Sequence, residues 1–283
     1  MSFQNQTFDV ENSAYGVVDK RSKQRMINIT FTPVGSFGSG YLVLWPFGSK
    51  KPGDSILPGD DASGTDELHV IPRTGKMYTF YGCAITKQPS LLLSTVKTLA
   101  GPVTFTSIGK EDTHWETANS IYTEVNTSYG TPAFDPATII TGRYSANWGS
   151  DLTSINTREG WVVDFELQTD PVETDDDGII DWTVRSNIVT ATCMPLGISE
   201  DQITAFLKMQ GTSNTRGASL ANGNSLTITG PTGGVSFTGK NMTILEQEFD
   251  YGLVAHRLPS LKFTSIRQVV TNALQDVYTM AVA

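Results

Sequence analysis

Gly160-Trp161-Val162-Val163-Asp164-Phe165-Glu166-Leu167 sets apolar against polar side chains with a period of two and is rich in β-branched and aromatic residues. That pattern belongs to a half-buried β-strand. Ser225-Leu226-Thr227-Ile228-Thr229 alternates in the same way, and Pro231-Thr232-Gly233-Gly234 after it is a turn between strands. Short strands punctuated by Gly, Pro and Asn point to a mainly β chain built as a sandwich or barrel.

The chain repeats itself. Gly16-Val17-Val18-Asp19 returns as Gly178-Ile179-Ile180-Asp181, and Thr30-Phe31-Thr32-Pro33-Val34-Gly35 as Thr192-Cys193-Met194-Pro195-Leu196-Gly197, both 162 positions on. Tyr78-Thr79-Phe80-Tyr81-Gly82 parallels Val235-Ser236-Phe237-Thr238-Gly239, which sets Thr86 against Thr243. Phe105-Thr106-Ser107-Ile108 returns unaltered as Phe263-Thr264-Ser265-Ile266, and Ile121-Tyr122-Thr123 is echoed by Val277-Tyr278-Thr279. The order is collinear and the offset drifts by a few residues, as changes in surface-loop length would produce.

Two tandem domains are expected, 1–126 and 160–283. A connecting segment, 127–159, contains Thr131-Pro132-Ala133-Phe134-Asp135-Pro136 and an added strand within Ile139–Trp148. Each domain is expected to have at most one flanking helix. Ser199-Glu200-Asp201-Gln202 forms a capping box ahead of Ile203, Phe206 and Leu207, and Gly211 closes that helix. Gly48–Thr65 and Thr212–Asn224 are paired polar excursions suited to contacting partners.

The chain has 283 residues and a net charge of −9, with 39% hydrophobic and 17% charged residues. A folded protein with an uncharged polar surface follows, and no basic stripe is available to grip phosphates. An acidic wall can still keep a passing polyanion from sticking. The N-terminus has neither a basic start nor an apolar run, and nowhere do eighteen apolar residues follow one another, so neither secretion by the usual signal nor membrane spanning is expected. Cys83 and Cys193 are too few for a disulfide framework and read as small buried hydrophobes.

Catalytic motifs are missing. His69, His114 and His256 are dispersed, and there is no HExxH, CxxC, GxSxG or phosphate-loop pattern. In the repeat Cys83 falls opposite Lys240, Cys193 opposite Phe31, His69 opposite Leu226 and His256 opposite Thr98, so what recurs is the material of turns and cores. No enzyme and no cofactor are expected. Glu173, Asp175, Asp177 and Asp181 bracket Gly178 in a partial likeness to a calcium loop, without the spacing and final Glu of an EF-hand, and the bland reading is a solvated acidic turn. Trp45 and Trp148 are candidates for a subunit interface, or for stacking on a sugar or base.

The run Pro136-Ala137-Thr138-Ile139-Ile140-Thr141-Gly142-Arg143-Tyr144-Ser145-Ala146-Asn147-Trp148-Gly149, then Arg158-Glu159-Gly160-Trp161-Val162-Val163-Asp164-Phe165 and Gly178-Ile179-Ile180-Asp181, resembles the tail-tube proteins of long-tailed, siphovirus-type bacteriophages. The Gly230–Thr243 hairpin and Phe263-Thr264-Ser265-Ile266 fit the same likeness, which covers most of residues 136 to 270. It implies a β-sandwich whose long hairpin joins its neighbours into a barrel around a DNA channel. Because six copies of that fold surround such a channel, a chain carrying two would form trimeric, pseudo-hexameric rings. The resemblance further implies assembly in the host cytoplasm, residence in the virion tail, and contacts with terminator, tape-measure and distal-tail proteins, with genomic DNA passing unbound. The alternatives are a distal-tail or baseplate ring, and a β-sandwich module binding carbohydrate or a host surface.

Overall fold

The computed structural model describes residues 1–34, 39–57, 67–72, 76–94, 98–108, 122–125, 142–150, 152–174, 178–196, 224–232, 234–245, 250–251, 256–257, 260–267, 269–270 and 273–282. They are almost all β. Among them the only helical turns are two 3-10 segments, Ser39–Leu44 and Pro46–Gly48. The helix expected over Ser199–Gly211 lies outside the described residues.

The first half contains β1 (Ser2–Asn12), β2 (Gly16–Phe31), β3 (Leu68–Val70), β4 (Met77–Phe80), β5 (Cys83–Lys87), β6 (Leu91–Leu93), β7 (Thr98–Ala100), β8 (Val103–Ser107) and β9 (Tyr122–Val125). It forms two sheets, β1-β2-β8-β5 and β3-β4-β9. After β10 (Ser145–Trp148) the second half contains β11 (Leu152–Thr174), β12 (Gly178–Leu196), β13 (Leu226–Thr229), β14 (Val235–Gly239), β15 (Met242–Thr243), β16 (Asp250–Tyr251), β17 (His256–Arg257), β18 (Leu261–Ser265), β19 (Val269–Val270), β20 (Ala273–Leu274) and β21 (Tyr278–Val282). Here β11-β12-β18-β15 and β13-β14-β21 follow the same strand order, and β10 pairs with both β11 and β13 to join them into one sheet.

The ladders also coincide in register. Asn12 pairs with Gly16 and Thr174 with Gly178; Val10 pairs with Asp19 and Val172 with Asp181; Gln6 pairs with Gln24 and Gln168 with Ser186. Each long hairpin has its irregularities after the same positions, between Gln6/Thr7 and Val10/Glu11 in one and between Gln168/Thr169 and Val172/Glu173 in the other. A bulge adds a residue to one strand and turns the ribbon locally, so a shared pair of bulges gives the two ribbons one shape. Further along, Asn28 pairs with Thr106 as Thr190 does with Thr264, and Phe31 with Val103 as Cys193 does with Leu261.

Three sequence alignments within the repeat are corrected by the ladders. Phe80 pairs with Leu68 and Phe237 with Ile228, which sets His69 against Thr229 and not Leu226. Cys83 and Met242 both pair with the Ser of the Phe-Thr-Ser motif, so Cys83 matches Met242 and not Lys240, and Ala84 matches Thr243 in place of Thr86. Phe80 pairs with Tyr122 and Phe237 with Met280, which moves the last match two residues on. The slips at Cys83 and at the last match are of two residues and keep each side chain on its face, so composition alone does not register them, whereas the three-residue slip at His69 replaces the buried Leu226 by the exposed Thr229.

The boundary expected at residue 160 falls inside one strand. β11 runs from Leu152 to Thr174, and Gly160, with φ of +96°, is accommodated where the β11–β12 ladder shifts between Thr157 and Trp161. The added strand is β10, at the end of the span expected for it.

Alternation in β11 and β12 sends Trp161, Val163, Phe165, Val189, Ala191 and Cys193 inward, where they meet Leu261 and Phe263 of β18. The first half has a small core of its own, Ile27, Ile29, Phe80 and Cys83. Its Leu44, Trp45, Phe47, Leu91 and Leu93 belong to the larger cluster of the second half. Both cysteines are buried and unbridged, and burial pushes the Cys193 thiol up, away from reactive thiolate.

Two buried tryptophans differ in a way that predicts their behaviour. The Trp148 Nε1–H donates to the Met242 carbonyl at 2.9 Å, whereas the buried Trp161 Nε1 has no hydrogen-bond partner. Both rings pack on Phe263. Trp148→Phe orphans a buried carbonyl and Trp161→Phe does not, so the first substitution is expected to cost about 1–3 kcal/mol more than the second in urea denaturation. Equal midpoint shifts would refute the distinction.

Candidate assembly surface and channel face

The long hairpins are the most distinctive surface of the molecule. β1 pairs only with β2, and β8 joins β2 only from Ile27 onward. Over Ser2–Asn12 and Gly16–Met26 the chain is therefore a two-stranded ribbon, and among the described residues no strand pairs with either of its outer edges. The second ribbon is built alike: β10 meets β11 at Leu152 and Ile155, β6 meets it at Trp161–Val163, and β18 meets β12 at Thr190–Cys193, leaving Asp164–Thr174 and Gly178–Val189 to extend beyond these pairings. Two-stranded ribbons are marginal alone in water, and open edges invite further pairing.

One edge of the second ribbon is already covered by the first half. The Gly53 N–H donates to the Val184 carbonyl at 2.8 Å, the Val184 N–H to the Asp54 carbonyl at 2.8 Å, and the Ile56 N–H to the Trp182 carbonyl at 2.9 Å. The segment 39–57 thus lies as a strap along β12. Asn187 Nδ2 donates to the Phe47 carbonyl at 2.6 Å, and Arg267 donates to the Lys50 carbonyl.

The ribbons also touch each other. Gly178, with φ of +76°, turns the chain into β12, and Gln24 of β2 reaches this point. Its Nε2 donates to the Ile179 carbonyl at 2.5 Å and its Oε1 accepts from the Ile179 N–H at 2.8 Å. Gln24 and Ile179 are both buried by this contact.

On the sheet face opposite Trp161 and Val163, polar side chains stand among the exposed Val162, Met194 and Leu196. In the second half the polar ones are Asp164, Glu166, Thr190, Thr192, Thr264 and Lys262. In the first half the corresponding positions are Ser2, Gln4, Asn28, Thr30, Thr106 and Thr104, of which Thr106 is buried, on the same face as the core residues Met26 and Ala84. Hydroxyls and amides are tied together there: Thr30 and Thr104 share a hydrogen bond at 3.0 Å, and Thr106 donates to Asn28 Oδ1 at 2.7 Å. Of the twelve only Asp164, Glu166 and Lys262 are charged, so these positions set one cation against two carboxylates.

Trp45 and Trp148 are not on this surface. Trp148 is 0% exposed, and Trp45 is 4% exposed, with its Nε1–H donated to the Pro89 carbonyl at 2.8 Å and its ring 6.2 Å from Phe165. Their role as docking or sugar-stacking residues is corrected: each is enclosed by its own chain, Trp45 at the joint where the strap meets the second half. Phe165, Phe237 and Tyr278 complete the aromatic group around Trp45, and the Tyr278 hydroxyl, pushed up by burial, donates to the Trp45 carbonyl.

The four acidic candidates do not gather into a described site. Glu173 is exposed on β11, Asp181 accepts from Ser55 Oγ at 2.9 Å and from the Trp182 N–H at 2.6 Å, and Asp175 and Asp177 lie outside the described residues. Among the described residues no group of three His, Cys, Asp or Glu side chains is placed to hold a metal ion. His69 is exposed beside Glu67 at 3.0 Å, His256 pairs with Tyr251 in a two-stranded hairpin, and His114 lies outside the described residues. Sequence reasoning overlooked Gln24 and read Gly53–Ile56, within the Gly48–Thr65 excursion, as contacting partners, whereas they bond to β12 of their own chain. The groups that Gln24 and this segment meet are more than a hundred positions away and leave no local pattern. No family model and no curated protein matches the chain.

Proposed function

We propose that the chain is a structural virion protein whose trimeric, pseudo-hexameric rings stack into a bacteriophage tail tube, the channel for genomic DNA. The observation that carries this reading is the pair of ribbons with one register and one set of bulges, each extended beyond its sheet, the first there with both edges unpaired and the second with its β11 edge unpaired among the described residues. A ring satisfies such edges by symmetry, since every edge meets the complementary edge of a neighbour. Two ribbons per chain make six around a trimer.

The polar side chains of the sheet face give the channel its chemistry. The Thr30–Thr104 and Thr106–Asn28 side-chain pairs, bonded to each other, present few free donors, and Asp164 and Glu166 repel phosphate. DNA can then slide without the Lys and Arg contacts that would hold it. The chain acts as a wall and not as a catalyst, with self-association and contacts to terminator, tape-measure and distal-tail proteins along its length.

Electron microscopy of the purified protein, with mass photometry for subunit count, tests the reading. Hollow rings or tubes with three-fold repeat and six lobes are expected. A single closed ring that never stacks would favour the distal-tail position, and monomers without a pore would overturn the proposal.

A further inference from the structure

The joint between the two halves contains three features, and each has a counterpart 162 positions away that lacks the partner found in the joint. The buried tip Gly178–Ile179 corresponds to Gly16–Val17, the receptor Gln24 to Ser186, and the strap-covered edge Trp182–Val184 to Lys20–Ser22. At the counterparts, Val17 is 48% and Val18 53% exposed, the buried Ser186 Oγ has no hydrogen-bond partner, and no described strand or loop pairs with β2 along Lys20–Ser22. The same parts that close the joint inside the chain therefore stand unmatched at its two ends.

We infer that a second copy of this chain fills them by repeating the internal joint: the Val17 tip of one copy seats on β12 of the next at Ser186 and Ile188. The Lys20–Ser22 edge of that incoming copy then lies beside the second half of the receiving chain, as Trp182–Val184 lies beside the strap. Such a contact is head-to-tail, and it closes when the rotation returns to the start. Burial of an apolar tip and satisfaction of an orphaned hydroxyl both favour it. The inference rests on the ring reading and specifies its chain-to-chain contact.

Full-length protein carrying Val17→Cys and Ser186→Cys tests it. Cys83 and Cys193 are buried and do not compete. Under mild oxidation a non-reducing gel is expected to show covalent dimers and a ladder ending at the trimer, while either single variant stays monomeric. Val17→Glu, at a position exposed in the lone chain, is expected to keep the parent melting profile and weaken assembly at least tenfold. Parent rings that persist in Val17→Glu, with no ladder from the cysteine pair, would overturn the inferred contact and leave the ring reading standing; a monomeric parent would overturn both.

Discussion

Trp45→Ala is expected to lower the melting temperature on the order of 10 °C, because removing a buried tryptophan costs about 3–5 kcal/mol and each kcal/mol moves a chain of this size by roughly 2–4 °C. The indole fills the space between the strap and the Phe165 and Tyr278 rings, and its Nε1–H satisfies the Pro89 carbonyl. Truncation leaves both a cavity and an unpaired buried acceptor. Since the residue ties the strap to the second half, the loss is expected to show in scanning calorimetry of the isolated chain. An unchanged melting temperature with lost assembly would instead return Trp45 to a contact between chains.

Gly160→Ala has the second large expected effect, and Gly53→Ala is its control. The two glycines share a left-handed backbone, with φ of +96° and +91°. A Cβ on Gly53 meets nothing within 4 Å, whereas one on Gly160 would stand 2.1 Å from the Leu93 carbonyl oxygen and 2.6 Å from Ser94 Cα. Gly53→Ala therefore pays backbone strain alone, about 1–2 kcal/mol, while Gly160→Ala must also push β6 away from β11 and adds roughly 1–3 kcal/mol. Urea midpoints measure the difference, and equal shifts would mean that β6 does not press on Gly160.

Much of the β architecture was legible because its signals are local. Gly16 and Gly178 open the second strand of each ribbon, and a turn residue marks its position wherever the strand later goes. Alternation at Trp161, Val163 and Phe165 names the buried face directly. The fine register was harder: Thr86 and Ala84 compete for Thr243, and the winner depends on a bulge between Ile85 and Lys87. Trp45 shows the other limit. An aromatic beside a long polar loop reads as a docking residue, yet it is enclosed because the loop folds onto a strand more than a hundred residues ahead. The candidate surface itself, made of backbone edges and one glutamine, carries no motif at all.

Matching bulges in both ribbons also create a hazard during synthesis. To an unfolded chain β12 offers β1 the same spacing of partners as β2 does, and β11 can likewise reach for β2, the strand exchange to which tandem repeats are prone. Two differences oppose it. β1 and β2 are separated only by the short turn at Ser13–Tyr15, so they can zip together before β12 has left the ribosome. The inward faces have also drifted apart: β11 brings Trp161, Val163 and Phe165 to Cys193, Ala191 and Val189, where β2 has the larger Phe31, Ile29 and Ile27. An exchanged ribbon would crowd the tryptophan against these larger side chains, so divergence of the two sequences protects the pairing that their common geometry would otherwise confuse.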